Sequence, residues 1–190
     1  MKELLRTGLL ASTIFIAAGA QAEQMDEMKL LMDFENKASA PEWFAMNDGV
    51  MGGLSKGSAE LKDGALVFSG ELSLENNGGF SSIRTEGDFN LAGKTFIVIR
   101  LKGDGRNYQL RLATDARYRD SAVSYAADFE TKAGEWTEVK VPFVAFSPGW
   151  RGKVLEGPPL NLSEVEEIGI LIGDKKPGPF SLEVDWIKVG

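Results

Sequence analysis

Apolar and polar residues alternate in short bursts along most of this chain, and each burst ends at a Gly, Pro, Asn or Asp. Such a period of two puts one side-chain set on each face of an extended strand. In Asn107-Tyr-Gln-Leu-Arg-Leu-Ala113, for example, Tyr108, Leu110 and Leu112 interleave with Asn107, Gln109 and Arg111. The same reading predicts strands over residues 29–35, 65–69, 80–85, 95–102, 107–113, 122–130, 136–141, 167–173 and 180–189. Lys102-Gly-Asp-Gly-Arg106 reads as a hairpin between two of them, because Asp-Gly supplies the positive φ of a tight reversal. Helix is scarce. Ser163-Glu-Val-Glu166 has the form of a capping box, but the apolar run from Ile168 limits it to about one turn. Many short strands without crossover helices predict an all-β, jelly-roll β-sandwich, with residues 23–190 forming a single domain.

The N-terminus interrupts this pattern. Lys2 and Arg6 precede an apolar run from Leu9 to Ala18, and Ala20-Gln21-Ala22 has the small-x-small form of a cleavage site. The expectation is a secretory signal peptide over residues 1–22, cleaved after Ala22, and a periplasmic or secreted protein. Glu3 and the scarcity of arginine argue against the competing mitochondrial presequence. No stretch of the mature chain approaches the roughly 20 apolar residues of a membrane span.

Composition removes whole classes of chemistry. The 190 residues contain no Cys and no His, which excludes disulfides, thiolate zinc sites, imidazole acid–base catalysis and the Ser-His-Asp triad. No carboxylate pair is singled out by spacing as a glycosidase site, so the chain is expected not to be an enzyme. A net charge of -7 and a pI near 4.8 argue against nucleic acid as a partner.

The candidate binding residues lie in two glycine-rich clusters. The stretch from Trp43 to Gly57 carries Asn47, Asp48, Gly49, Met51, Gly52, Gly53 and Ser55, and the stretch from Glu75 to Phe80 carries Asn76, Asn77, Gly78 and Gly79. Glycine at this density specifies a shaped loop and lets a partner approach the backbone. Either cluster also serves as a plain structural turn or hairpin loop, packing Trp43, Val50 and Met51 on the sandwich end. If the two share one end, Asn47, Asp48 and Ser55 form a polar recognition edge beside Met51. A second candidate surface joins Arg100, Gln109 and Arg111 on a sheet face, with Ser124 and Asp128 beside them and Trp150 as a stacking platform. That surface suits a glycan or an acidic peptide. No organic cofactor is expected. The candidate inorganic ligand is a structural calcium ion, Ca²⁺, held by Asp33 and Glu35 of the first strand and Glu183 and Asp185 of the last.

Five motifs occur in order: Trp43…Asn47-Asp48-Gly-Val-Met-Gly-Gly53-x-Ser55; Leu74-Glu-Asn-Asn-Gly-Gly-Phe80-x-Ser-x-Arg84; Gly103-Asp-Gly-Arg106-x-Tyr108; Gly134-Glu-Trp136 leading to Val141-Pro-Phe143; and Ile168-Gly-Ile to Phe180-x-Leu-Glu-Val-Asp-Trp-Ile187. Together they resemble the complex I intermediate-associated protein 30 family, from about Leu31 to Val189. The resemblance implies a galactose-binding-like sandwich. It also implies a non-enzymatic role in assembling NADH:ubiquinone oxidoreductase, with a protein client such as a membrane-complex subunit. Combined with the export signal, that role is expected outside the inner membrane; a periplasmic carbohydrate-binding module is the alternative.

Overall fold

A computed structural model describes residues 28–190, so the signal-peptide reading of residues 1–22 lies outside the described residues. In chain order the strands are β1 (Lys29–Asp33), β2 (Phe44–Asn47), β3 (Lys56–Lys62), β4 (Ala65–Leu72), β5 (Ser81–Phe89), β6 (Phe96–Lys102), β7 (Asn107–Tyr118), β8 (Ser121–Glu130), β9 (Trp136–Pro142), β10 (Ser147–Trp150), β11 (Lys153–Val154), β12 (Val165–Ile172) and β13 (Gly178–Val189). They form two sheets. One has the order β3-β4-β13-β6-β9, with β1 also pairing β13; the other runs β11-β10-β8-β7-β12-β5-β2. All pairings between these strands are antiparallel.

The alternation explains the core. Tyr108, Leu110 and Leu112 of β7 face Phe68 of β4 and Phe180, Leu182 and Val184 of β13, all buried, while the interleaved positions face outward. Phe68 packs edge-on to Phe180 with centroids 4.9 Å apart, and to Tyr108 at 6.4 Å. Each predicted strand is present, and β2, β3, β10 and β11 are additional. Val165 opens β12 directly after a turn in which Asn161 Oδ1 accepts from the Ser163 amide and hydroxyl, so the expected helical turn at 163–166 does not form. The short helices are 3-10 turns at Asp48–Met51, Glu75–Asn77 and Phe143–Ala145.

Two expectations are corrected here. Lys102 to Arg106 is not a hairpin, because β6 and β7 belong to different sheets. The Asp-Gly reversal carries the chain across the sandwich. Asp104 Oδ2 accepts from Tyr108 Oη at 3.0 Å and from the Ser181 amide at 2.8 Å, tying the crossing to β13. The four carboxylates chosen for calcium also do not converge. Glu183 pairs with Lys102 at 2.8 Å, Asp185 with Arg100, and Asp33 accepts from the Glu35 amide at 2.8 Å. Neighbouring cations on β6 thus relieve the repulsion that a metal was invoked to relieve. Among the described residues no three acidic, His or Cys side chains are grouped to hold a metal ion.

Beside Asp104, Arg106 grips the β12–β13 loop. Its Nη2 and Nε meet Asp174 at 2.7 and 3.1 Å, and its Nη1 donates to the Pro179 carbonyl at 2.9 Å. Both side chains are nearly buried, at 12% and 5% exposure. Burial disfavours the charged form of Asp174, but the Arg106 guanidinium, together with the Lys176 amide and charge, outweighs this and holds the carboxyl below its usual range. Arg106→Ala strands a buried carboxylate and is expected to cost about 3 kcal/mol, lowering Tm by roughly 10 °C in a thermal melt.

Candidate functional site

The two glycine-rich loops lie at one end of the sandwich, where the chain crosses between sheets: β2 to β3 in one direction and β4 to β5 in the other. Asp48 joins them. It is fully buried, and its Oδ1 accepts from the Ser55 amide at 2.9 Å. Oδ2 accepts from the Ser55 hydroxyl at 2.6 Å, the Gly79 amide at 2.6 Å and the Phe80 amide at 3.3 Å. One carboxylate therefore satisfies backbone donors from both loops. Burial disfavours its charge, but the Ser55 hydroxyl and then the amides of Gly79, Ser55 and Phe80 prevail, holding the carboxyl below its ordinary range. Glycine is required where the chain wraps this group: a Cβ at Gly53 would overlap the carboxylate carbon, and one at Gly78 would press on Oδ2.

Asn47 closes the seam between the sheets. Its Nδ2 donates to the Gly57 carbonyl at 3.1 Å, and its Oδ1 accepts from the Gly57 amide at 2.9 Å and the Ser81 hydroxyl at 2.6 Å. The side-chain amide thus imitates a strand rung between β2 and β3, edge strands of opposite sheets. Ser55 Oγ in turn accepts from the Ser73 amide at 3.0 Å, and Asn76 Nδ2 reaches the Gly52 carbonyl at 3.2 Å.

The arrangement corrects the expected polar recognition edge. Asn47, Asp48 and Ser55 point inward and are consumed in holding the loops together. Their neighbours form the outer surface: Val50 is 73% exposed and Met51 71%, with Leu54 and Leu74 also exposed on the same loop pair. Val50 and Met51 therefore do not pack on the sandwich end, and Trp43, at the far end of β2, packs edge-on to Phe34 at 6.2 Å near the β3–β4 turn and not beneath these loops. Gly49, Gly52, Asn76 and Asn77 are exposed, and both asparagines adopt positive φ.

The second expected surface divides. Arg100 belongs to β6 of one sheet, and Gln109 and Arg111 belong to β7 of the other. Trp150 lies on the Tyr125 side of its strand, edge-on to Tyr118 at 5.4 Å, with Arg151 over its ring at 5.0 Å. It does not flank Arg111, so the glycan reading loses its stacking platform. Gln109 and Arg111 do share a face with Asp128, whose Oδ1 accepts from Gln109 Nε2 at 2.8 Å. Ser124 falls on that face as well, opposite Ala113. Sequence reasoning does not find Arg84 and Glu167, which meet at 3.0 Å beside them; only strand register brings them there. Burial raises the Glu167 carboxyl above its usual range, against the pull of Arg84.

This architecture places the chain among jelly-roll β-sandwiches. The family 11 carbohydrate-binding module of Clostridium thermocellum, solved with a β-1,3-1,4-mixed-linked tetrasaccharide, superposes with a TM-score of 0.66 at 18% identity, covering 85% of this chain and 94% of that one. Part of the agarase AgWH50C superposes at 0.60 with 13% identity, covering 86% of this chain and 24% of the agarase. At these identities the likeness is one of fold. The family profile of complex I intermediate-associated protein 30 matches residues 32–184, and the chain belongs to that family.

Curated relatives carry the same name. The mitochondrial mouse protein is 25% identical over 187 residues, covering 87% of this chain and 57% of its own length. The Drosophila melanogaster protein is 27% identical over 185 residues, covering 85% of this chain and 62% of its own. The chain thus spans somewhat more than half the length of either relative. Both are named mitochondrial, as is the probable Caenorhabditis briggsae protein. This overturns the expected periplasmic or secreted location and points to mitochondria.

Asp48→Asn places an NH₂ or a weaker acceptor against backbone donors and is expected to destabilise the protein by about 2 kcal/mol. Because the folded carboxyl titrates below the unfolded one, its contribution is complete above the ordinary Asp range and is lost as pH falls through the lowered folded value. Urea unfolding from pH 7 down to pH 2 should therefore show a shallower acid loss in Asp48→Asn than in the wild type.

Proposed function

We propose that this protein is a non-enzymatic complex I assembly factor that holds a protein partner on the rim built by the two glycine-rich loops. The observation that carries the reading is the pairing of Val50 and Met51, exposed at 73% and 71%, with a buried carboxylate fixing their loop from beneath. A lone exposed apolar side chain is ordinary. Here two consecutive ones project from a loop already held by hydrogen bonds from the Asp48, Gly52, Gly53 and Ser55 amides, so docking costs little further ordering of the chain.

The relatives support a partner of this kind. They are named as associated with complex I intermediates, so the occupant proposed for the rim is an apolar surface on a subunit of such an intermediate. The non-enzymatic part agrees with the lack of His and Cys, and with the satisfied state of the one carboxylate at the centre of the rim.

A photoreactive residue in place of Met51, in the full chain within mitochondria, should crosslink to a complex I subunit. One at Asp63, in the β3–β4 turn, should not. Val50→Asp with Met51→Asp should remove the chain from complex I intermediates on native gels, while stability changes by no more than about 0.5 kcal/mol, as expected at exposed sites. Equal crosslinking at Met51 and Asp63, or intact association of the double variant, would contradict the reading.

A further inference from the structure

The outer face of the β11-β10-β8-β7-β12-β5-β2 sheet carries a second feature, remote from the rim in role and composition. Strand register aligns Phe44, Arg84, Gly169, Arg111 and Ala126 in one row across five strands. Gly169 thus forms the floor between two arginines, and Ala126 leaves the far side of Arg111 low. A Cβ at position 169 would stand 3.4 Å from Arg84 Cβ and 3.0 Å from the Ile83 carbonyl oxygen, so the floor is filled if the glycine is replaced.

The two arginines differ in their partners. Arg84 is neutralised by Glu167 at 3.0 Å. Arg111 has no carboxylate in contact; its Nη2 donates at 3.2 Å to the neutral Gln109 Oε1, and its buried Nε has no hydrogen-bond partner. A largely desolvated guanidinium with a buried N–H unused is costly to keep. The Nη1–Nη2 edge of its planar fork, on the side away from the buried Nε, matches two oxygens of one oxyanion. Exposed Glu86 and Asp128 border the same face, so a dianion is repelled more than a monoanion.

We propose that this face is a carboxylate-binding site, with Arg111 as the donor fork and Gly169 as the floor that admits the ligand. The ligand is a single carboxylate group, either of a small organic acid or of an acidic residue in a docking polypeptide. Glu167 is its internal competitor, because it occupies the neighbouring guanidinium of Arg84.

The test is a heteronuclear NMR titration of the full chain that follows the Arg111 Nε–Hε resonance. The probes are acetate, N-acetylglutamate amide, neutral N-acetylglutamine amide and inorganic phosphate at matched ionic strength. Saturable shifts are expected with acetate and the glutamate amide, and none with the glutamine amide. Equal half-saturation for the two carboxylates identifies the small-acid source, and tighter binding of the glutamate amide identifies a polypeptide source. Arg111→Gln, checked for folding by its amide dispersion, should weaken binding at least about tenfold as read from backbone shifts, the loss expected of a charge-assisted bidentate pair. Arg111→Lys, which keeps the charge without the fork, should also weaken it. Glu167→Gln should tighten it severalfold by freeing Arg84. Absence of saturation, tighter binding of phosphate than acetate, response to the glutamine amide, or undiminished binding in Arg111→Gln would overturn the proposal. So would weaker binding in Glu167→Gln.

Discussion

The buried carboxylate of Asp48 is the constraint on which the functional end of this sandwich depends. Two crossings between the sheets meet there, and each leaves backbone N–H groups that no strand can satisfy. Asp48 accepts from Ser55 on one side and from Gly79 and Phe80 on the other. A buried anion is costly alone and stable when every lone pair is used. The glycines at 53 and 78 follow from the same fact, since only a residue without Cβ lets the backbone close around the group. Two of the glycines that mark these loops in the sequence are thus dictated from inside the protein, and the outward-facing Val50 and Met51 are what the arrangement displays.

Polar latches recur at this end. Arg106 with Asp174, and Asp104 with Tyr108 and Ser181, bind further crossings to β13 and to the β12–β13 loop. A sandwich is closed by its core along the sheets but not at its poles, where loops meet water. Here buried, paired hydrogen-bonding groups supply what apolar packing does not. The consequence is a rigid end that can present apolar side chains without collapsing around them, which fits a domain that grips a partner.

Much of the fold was legible because alternation reports burial directly. Segments such as 107–113, with three apolar residues on one parity, could only be half-buried strands. β3 is not marked by alternation because Lys56 to Lys62 carries only Ala59 and Leu61 as apolar inward positions, and β10 is not because Pro148-Gly149 resembles a turn. Both are weakly patterned strands at or near a sheet margin. The loops were legible as shaped, but not the direction of their side chains: Asn47-Asp48-Gly49 has the same local chemistry whether its oxygens meet water or a distant amide. A separation of 31 positions between Asp48 and Gly79 hides the contact that decides it. Arg100 and Arg111 look like neighbours in the sequence for a related reason. Gly103-Asp104-Gly105 has hairpin chemistry, and nothing local distinguishes a reversal within a sheet from a crossing between sheets. Arg84 and Glu167 needed register, which alternation within one strand does not contain.

The most direct test of this account is native-state amide hydrogen exchange at Ser55 and Gly79, the two donors that Asp48 draws from separate loops. If the carboxylate locks the rim, both amides exchange only with global unfolding, at the same opening free energy as Leu110 and Leu182 in the core strands. Exchange at Gly79 or Ser55 several kcal/mol below that limit, as expected of a loop that opens locally, would contradict it.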